Sequence, residues 1–472
     1  MNKPTVMKFG GTSVADAAGF ERVVRIVRSR QNANPVIVVS AMSGVTDALL
    51  TCFDLAIQGR LQAASALLEG QLERHVAIAQ KFLDGDKAAQ FKAEVDSTRA
   101  QLLRLLHELV TGSVATSALN DEVVAYGEGL SSRLLARLLR AFAVSAVYFD
   151  ARRVLVTDDQ HGRANPLLPE TEERARKELF PLISQATVPV LGGFIASTAN
   201  GQTTTLGRGG SDYSAAIIGA VLNAGAIQIW TDVNGVLTAD PRVVPAAQTI
   251  PVLSYQEAAE LAYFGAKVLH PKTLQPAIDR SIPVRVCNSR APHEAGTLIV
   301  AESRAAPQTV KAIAHKTGIT TVQVTSARML GAYGFLQALF EIFARHRTAV
   351  DVVTTSEVSV SLSLDDSSSL NEIVAELKQL GSVEIEKRRT IISVIGEGLR
   401  NTPGIAANVF STIGDINISM ISLGASSINL TFMVDEEDAR EAITRLHRAC
   451  FETQMAMAAV ASENTVAGEV IP

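Results

Sequence analysis

The feature that most limits the fold of this chain is the alternation of short apolar runs with amphipathic segments from residue 1 to about 300. Four runs have the length and the β-branched content of buried strands, namely 35–42, 143–150, 186–194 and 226–233. Strands separated by helices form a mostly parallel sheet covered by helices on both faces. The predicted fold class is therefore α/β.

The first 300 residues are expected to form one domain with a helical excursion at about 60–110. That segment lacks strand-like runs and has leucines at helical spacing, which indicates packing rather than chemistry. Ligands of mostly parallel sheets bind beyond the carboxyl ends of the strands. Residues 8–13, 40–43 and 192–194 all fall at such ends, so we expect a site there.

The C-terminal part contains an internal repeat. Two stretches align without a gap at an offset of 70, so that Phe340 meets Phe410 and Asp365 meets Asp435. A repeat of this kind predicts two copies of a small α+β module. We expect the modules at 309–388 and 389–462.

The composition of the chain limits which binding partners and which cellular compartment are expected. The 472 residues carry a net charge of −5, and without a basic excess neither nucleic acid nor an anionic membrane surface is an expected partner. The three cysteines lie far apart with no CxxC spacing, so a disulfide framework and a zinc site are not indicated. We expect a cytoplasmic protein with neither a signal peptide nor a membrane span.

The motif KFGGTS (8–13) follows an apolar run and precedes a helical pattern. A glycine turn at a helix start directs backbone N–H groups at one point, and with Lys8 beside it that point suits a phosphate. The order of residues is not that of a P-loop, because the lysine precedes the glycines. An ordinary turn with a surface lysine is equally compatible with these six residues.

The densest polar cluster is TTTLGRGGSDYSAA (203–216), which runs into an apolar helix. Arg208 offers a planar guanidinium for a carboxylate or phosphate. Asp212 could act in the site or simply cap the helix, and the pattern leaves both open. Glu128, between two glycines, could bind an ammonium group or complement a helix dipole.

Several other segments carry weaker signals. Thr231, Asp232 and Arg242 lie in a segment whose turn residues alone could explain it. Lys267 would ordinarily be a surface lysine. The Gly396-x-Gly398 pair lacks a third glycine, because that position is Asn401, so no dinucleotide fingerprint is supported.

Taken together, six motifs in order resemble the aspartate kinases of the amino-acid kinase superfamily. They are KFGGTS (8–13), SAMSGVTD (40–47), YGE (126–128), TTTLGRGGSDY (203–213), WTDV (230–233) and FGAKVLHP (264–271). The twin C-terminal modules resemble paired ACT domains, and residues 334–362 are similar to the monofunctional, lysine-inhibited type. The resemblance covers essentially the whole chain. It implies the amino-acid kinase fold followed by two ACT modules.

The resemblance implies phosphorylation of the β-carboxylate of L-aspartate by Mg-ATP, as the first step toward lysine, threonine and methionine. The resemblance makes Lys8 the group that stabilises the transferred phosphoryl group. It makes Asp212 the group that orients the Lys8 ammonium. The remaining implied contacts are, for phosphate, Gly10, Gly11, Thr12 and Ser13; for aspartate, Thr46, Glu128, Arg208 and Ser211; for nucleotide, Thr231, Asp232, Arg242 and Lys267. Leu237 stands where family members often carry an aromatic residue.

The resemblance also implies an effector site in the first ACT module. The implied residues are Met329, Ala332, Phe335, Leu336, Val350, Asp351, Thr355, Ser356 and Glu357. Two carboxylates, Asp351 and Glu357, favour lysine over threonine as the effector, because lysine has two ammonium groups and threonine has one. The alternative is that Asp351 merely ends a strand at a solvent edge.

The implied cofactors are ATP and Mg²⁺, with the metal held mainly by the ATP phosphates and not by protein side chains. The implied assembly is a homodimer through the ACT domains, which could pair into a tetramer. A glutamate or acetylglutamate kinase, and a catalytically silent amino-acid-binding regulator, are the competing interpretations. A fused homoserine dehydrogenase is not expected, since the ACT region runs nearly to the end of the sequence.

Overall fold

The computed structural model describes residues 3–111, 116–265, 271–302 and 309–452. It divides into two compact units. The first comprises Met1–Val236, Pro251–Tyr255 and Val268–Ser303, and the second comprises Leu237–Ile250, Gln256–Lys267 and Arg304–Pro472. Two segments before residue 300 thus belong with the C-terminal modules, a division that the sequence did not indicate.

The first unit contains eleven strands among its described residues: β1 (Thr5–Phe9), β2 (Pro35–Val39), β3 (Ala146–Phe149), β4 (Val156–Thr157), β5 (Val188–Gly192), β6 (Ile195–Thr198), β7 (Thr203–Thr205), β8 (Ala226–Thr231), β9 (Val252–Ser254), β10 (Val284–Asn288) and β11 (Thr297–Val300). Its helices are α1 (Ala17–Ser29), α2 (Val45–Ile57), α3 (Leu61–Phe82), α4 (Gly85–Thr111), α5 (Thr116–Ala141), α6 (Leu168–Ser184), α7 (Gly210–Val221) and α9 (Pro271–Asp279). Helix α8 (Tyr255–Tyr263) begins in this unit and continues in the second.

Eight of these strands form one sheet in the order β3-β5-β2-β1-β8-β10-β11-β9. Every neighbouring pair is parallel except β10 with β11. All five residues of β2 are buried, as a strand covered on both faces requires. The four strands predicted from apolar runs are β2, β3, β5 and β8, and the mostly parallel α/β fold is confirmed.

The register of the central strands places four carboxyl ends side by side. Phe9 of β1 is paired with Val39 of β2 on one side and with Trp230 of β8 on the other. Val39 is in turn paired with Gly192 of β5. The loops after these strands therefore meet at one edge of the sheet, where ligands of such folds bind.

Helices α3 and α4 occupy the range where the sequence indicated a helical excursion. Their leucines at 68, 72, 102 and 105 are buried in the same core as β1 and β2. The packing role expected of these leucines is therefore observed.

The strands of the second unit, among its described residues, are β12 (Ala312–Thr325), β13 (Val353–Thr355), β14 (Ser359–Leu364), β15 (Ser382–Ile395), β16 (Met420–Leu423) and β17 (Asn429–Asp435). Its further helices are α10 (Phe335–Arg345), α11 (Leu370–Leu377), α12 (Ile405–Thr412) and α13 (Ala439–His447). Strands β12 and β15 are both 14 residues long and start 70 positions apart, as the internal repeat predicts. The six strands form one sheet in the order β13-β14-β12-β15-β17-β16.

The two long strands are shared between the repeats. They run antiparallel, with Ala312 opposite Ile395 and Thr325 opposite Ser382. Ile313, at the start of β12, is buried in the core of the second repeat, whereas Val322, near its end, is buried in the core of the first. The module boundary placed at 388/389 falls inside β15.

Each long strand is interrupted once at the equivalent position. Gly318 in β12 has a φ of +74°, and Arg388 in β15 has a φ of +58°. The register between the strands shifts on either side of Ile319. Glycine adopts this left-handed backbone without steric cost, whereas arginine does not.

None of the helices that the structure describes combines the length and the apolar character that a membrane span requires.

Candidate functional site

The site is centred on an ion pair between Lys8 and Asp212. Lys8 lies near the carboxyl end of β1, and Asp212 lies in the first turn of α7. The Lys8 Nζ is 2.6 Å from Asp212 Oδ1, and both side chains are largely shielded from solvent. The sequence left open whether Asp212 was only a helix cap. In the structure its carboxylate fixes the cation that faces the edge of the sheet.

The glycine turn after β1 is packed tightly against the loop after β2. A Cβ atom at Gly11 would lie 3.0 Å from the carbonyl oxygen of Ala41, so a side chain there would crowd the loop after β2. Gly10 does not offer its N–H to a ligand, because that group donates to the carbonyl of Trp230 at 3.0 Å. Within the described residues, the N–H groups of Gly11 and Thr12 make no hydrogen bond.

Ser13, in the glycine turn, has internal hydrogen-bond partners. Its side chain is fully buried, and its hydroxyl donates to Ser289 Oγ at 2.9 Å. Its N–H donates to the carbonyl of Gly10 at 2.9 Å. The hydroxyl of Ser13 thus ties the turn to the residue that follows β10, while its N–H closes the turn itself, and phosphate binding by Ser13 stays a prediction. No local pattern indicated this contact, because Ser289 follows a strand far along the chain.

Glu128 is a buried carboxyl group on α5. Only 4% of the residue is exposed, and burial raises its pKa to about 7. The backbone N–H of Ala41 and, more weakly, the charge of Lys8 lower the pKa in part. Its Oε2 atom has no hydrogen-bond partner among the described residues. A buried, half-satisfied carboxylate of this kind needs a cationic or donor ligand.

Two glycines at the end of β5 bring Glu128 and Ser211 to the same place. A Cβ atom at Gly192 would lie 3.1 Å from the Cβ of Glu128. One at Gly193 would lie 2.7 Å from the Cβ of Ser211. These close approaches make α5 and the start of α7 neighbours across the end of β5, as the position of these glycines beyond the strand suggested.

The other two residues expected to bind aspartate border the same edge. Arg208 is exposed and has neither a hydrogen bond nor an ion pair with any described residue. Thr46 is half-buried in the first turn of α2, and the residue before that helix, Gly44, has a φ of +81°. Arg208 is thus a cation with no internal partner in the described part of the chain, which suits it to an anionic ligand.

The four residues expected to bind nucleotide have different positions. Thr231 and Asp232 follow β8, the strand beside β1, and the Thr231 hydroxyl donates to Asp232 Oδ1 at 3.1 Å. Arg242 belongs to the second unit and is exposed, with its Nη2 2.6 Å from Asp240 Oδ2. Lys267 lies outside the described residues.

The expected effector residues lie in the second unit, around the start of α10 and the strand pair β13 and β14. Asp351 has a side chain only 4% exposed, and it is already engaged. The Tyr263 hydroxyl donates to Asp351 Oδ1 at 2.5 Å, and Lys316 Nζ lies 3.6 Å from Oδ2. Desolvation and, after it, the hydrogen bond to this carboxylate raise the pKa of Tyr263 far above its ordinary value.

The other expected effector residues are more open. Met329, Phe335 and Val350 are half-buried beside the core of the first repeat. The exposed ones are Ala332, Leu336, Thr355, Ser356 and Glu357. Asp351 is thus a buried anion that already holds an ammonium group of the chain, next to a surface of apolar and hydroxyl side chains.

The chemistry available at the sheet edge follows from these groups. A shielded ammonium and two N–H groups at a glycine turn suit a phosphate. A buried carboxyl and an exposed guanidinium nearby suit the ammonium and carboxylate of an amino acid. Among the described residues, no three His, Cys, Asp or Glu side chains cluster as metal ligands.

Comparisons with known proteins agree with this arrangement. Residues 3–288 match the amino acid kinase family, and residues 392–450 match an ACT domain. The lysine-sensitive aspartokinase 3 of Escherichia coli (strain K12) is 39% identical, over 96% of this chain and 100% of its own length.

Two solved structures of E. coli aspartokinase III are also similar. The complex with aspartate and ADP (R-state) has a TM-score of 0.80 at 37% identity, covering 95% of this chain and 100% of that one. The complex with lysine and aspartate (T-state) has a TM-score of 0.80 at 38% identity, covering 95% and 99%.

Proposed function

Because this chain belongs to the amino acid kinase family, and within it to the aspartokinases, we propose that it transfers the γ-phosphoryl group of ATP to the β-carboxylate of L-aspartate. The product is 4-phospho-L-aspartate. The observation that carries this proposal is the meeting of the Lys8–Asp212 ion pair with the buried Glu128 carboxyl at one edge of the sheet. One group serves a phosphate and the other an amino-acid ammonium.

The reaction needs no general base from the protein. The reference pKa of an aspartate side chain is about 3.9, so the acceptor carboxylate is ionised at neutral pH. Catalysis then consists of alignment and of neutralising negative charge on the moving phosphoryl group. Lys8 supplies the positive charge that neutralises the phosphoryl group, and Asp212 holds the Lys8 ammonium in place.

The acceptor is bound at both ends of its amino-acid group. Glu128 binds the α-ammonium, because its carboxyl is buried and its Oε2 has no partner in the described structure. Arg208 binds the α-carboxylate through its exposed guanidinium. Thr46 and Ser211 make lesser contacts from the first turns of α2 and α7.

The nucleotide lies along the ends of β1 and β8. Its phosphates accept hydrogen bonds from the N–H groups of Gly11 and Thr12, which have no other acceptor in the described residues. Thr231 and Asp232 bind beyond the phosphates, and Lys267 and Arg242 remain candidates for nucleotide contact. Mg²⁺, held mainly by the ATP phosphates, supplies further neutralisation of their charge.

L-lysine inhibits the enzyme by binding the first ACT module. The support is a pair of carboxylates. Asp351 is buried in a position that accommodates an ammonium group, at present that of Lys316, and Glu357 is exposed and available to another ammonium group. The E. coli relative is lysine-sensitive. In this proposal the chain forms a homodimer through its ACT modules, which can pair into a tetramer, and light scattering with and without lysine measures both.

The enzyme's place is the first step of lysine, threonine and methionine synthesis in the cytoplasm. Its three cysteines are free thiols, as a reducing compartment permits.

The test is an aspartate-hydroxamate assay with Mg-ATP, with and without lysine, and with threonine as the control. Hydroxamate formation that only lysine suppresses supports substrate, reaction and effector together. Formation indifferent to lysine contradicts the effector assignment alone. If no aspartate hydroxamate forms but glutamate is turned over, the acceptor assignment is wrong.

A further inference from the structure

Asp121 is a fully buried carboxylate on α5 that the proposed chemistry does not use. It accepts hydrogen bonds from three different residues outside its helix. The Thr205 hydroxyl donates to Oδ1 at 2.5 Å. The backbone N–H of Gly162 lies 3.1 Å from Oδ1 and 3.0 Å from Oδ2, and His161 Nδ1 lies 2.9 Å from Oδ2. Because this carboxylate is buried and both of its oxygens accept hydrogen bonds, it holds the three donor residues in fixed positions.

The groups that Asp121 holds surround the Arg208 loop. Thr205 ends β7, and only Leu206 and Gly207 separate it from Arg208. A Cβ atom at Gly207 would lie 3.0 Å from the carbonyl oxygen of Gly162, so the loop held by Asp121 also contacts this segment. The backbone bond from Ala164 N to Thr205 O, at 2.9 Å, adds to the same junction.

Asp121 also lies on the helix that carries Glu128. The two residues are seven positions apart on α5, which places them on one face, about two turns from each other. One rigid helix therefore presents a carboxylate to the ligand's ammonium and another to the loop that bears Arg208.

We propose that Asp121 is a positioning residue for acceptor recognition. Through Thr205, His161 and Gly162 it ties the Arg208 loop to α5, and so sets the place of Arg208 relative to Glu128. The inference rests on the proposed function, in which these two residues bind the two ends of the acceptor's α-amino-acid group. Asp121 itself contacts neither substrate.

The sharpest test is a pair of substitutions at Thr205. Thr205→Val keeps the shape but removes the hydroxyl donor, whereas Thr205→Ser keeps the donor. Because a small misplacement of a binding group is costly, Thr205→Val should raise the KM for aspartate roughly tenfold or more. The KM for ATP should change by less than about threefold, and Thr205→Ser should restore aspartate binding to near the wild-type value.

Asp121→Asn should have a larger effect in the same direction, since the amide replaces an anion that accepts from three residues. The matched control is Asp158→Asn, in the same loop. Within the described residues, the Asp158 side chain accepts only from the loop's own Gln160 and Asn165, so its replacement should leave the aspartate KM unchanged.

The positioning role is overturned if Thr205→Val and Thr205→Ser have the same aspartate KM, or if Asp121→Asn and Thr205→Val raise the KM for both substrates equally. A lower melting temperature with an unchanged aspartate KM would equally contradict it, because the carboxylate would then be only structural. If the wild type turns over glutamate and not aspartate, the proposed function fails, while the same comparison with glutamate still tests Asp121.

Discussion

Lys8 Nζ lies 2.6 Å from Asp212 Oδ1, which joins the end of the first strand to the first turn of a helix far along the chain. Asp212 thereby fixes the direction of an ammonium that would otherwise be a flexible point charge. Electrostatic groups of this kind contribute most when they are held in place before the reaction.

The first prediction concerns this cation. Lys8→Met should lower kcat by at least about a thousandfold, because the phosphoryl charge loses its principal protein partner. The melting temperature should change little, since Lys8 faces the sheet edge. Hydroxamate formation and thermal unfolding measure the two effects. Lys3→Met is the control, because Lys3 is exposed and its ammonium donates to Asn223 Oδ1, outside the proposed site. Near-normal activity of Lys8→Met would refute the charge-stabilising role.

The second prediction is a pH dependence set by Glu128. Its pKa is about 7, so below that pH the buried carboxyl is mostly protonated and must lose its proton to bind the substrate ammonium. The KM for aspartate should therefore fall as pH rises through about 7, by up to about tenfold per unit below it. A flat profile of kcat/KM between pH 6 and 8 would contradict the assignment, and Glu128→Gln should abolish the dependence together with tight binding.

The third prediction is that Glu128→Gln stabilises the fold at alkaline pH. Because the folded pKa is raised from 4.5, the folded protein binds more protons than the unfolded chain, and the contribution of Glu128 to stability is lost as pH rises through about 7. A neutral amide removes that loss. The free energy of unfolding in urea should rise by up to about 3 kcal/mol at pH 8 and little at pH 5. An equal change at both pH values would exclude this cause.

The fourth prediction addresses regulation. Asp351→Ala should raise the lysine concentration for half-inhibition by roughly tenfold to a hundredfold, as loss of a charge-assisted hydrogen bond implies. Activity without lysine should be retained. Asp365→Ala is the matched control, because Asp365 also binds Lys316, at 2.6 Å, but is not an expected effector residue. Equal shifts in the two variants would place the effect on Lys316 instead.

The fifth prediction uses the pair of backbone interruptions in the long strands. Arg388 is exposed and has a left-handed backbone conformation, which glycine adopts at lower cost than arginine. Arg388→Gly should therefore raise the free energy of unfolding by about 0.5–1 kcal/mol. Gly318→Ala at the equivalent position should lower it by about 1–2 kcal/mol. Urea titrations of both variants measure the difference. If both variants changed the free energy of unfolding by the same amount and in the same direction, side-chain contacts would outweigh the backbone conformational preference at these positions.

The sequence predicted those parts of the fold that local periodicity encodes. Strands β2, β3, β5 and β8 are short apolar runs, and the repeat in the second unit is visible because equivalent residues recur at a constant offset. The position of the site followed from the rule that loops after parallel strands meet at one edge.

The details of the site that the sequence missed depend on pairing between distant segments. The N–H of Gly10 donates to the carbonyl of Trp230 because β1 lies beside β8. The Ser13 hydroxyl donates to Ser289 because Ser289 follows β10, the strand beside β8. From the sequence Asp121 had no assigned role, since its partners His161, Gly162 and Thr205 are far from it along the chain.

The sharing of β12 and β15 between the two repeats has a consequence for inheritance. A recombination point between the apparent modules, near residue 388, would cut a strand that belongs to both cores. A chimera that took one module from a relative would join two half-strands selected for different partners. The pair can therefore be exchanged only as a whole, so that descent treats the duplicated modules as a single heritable part.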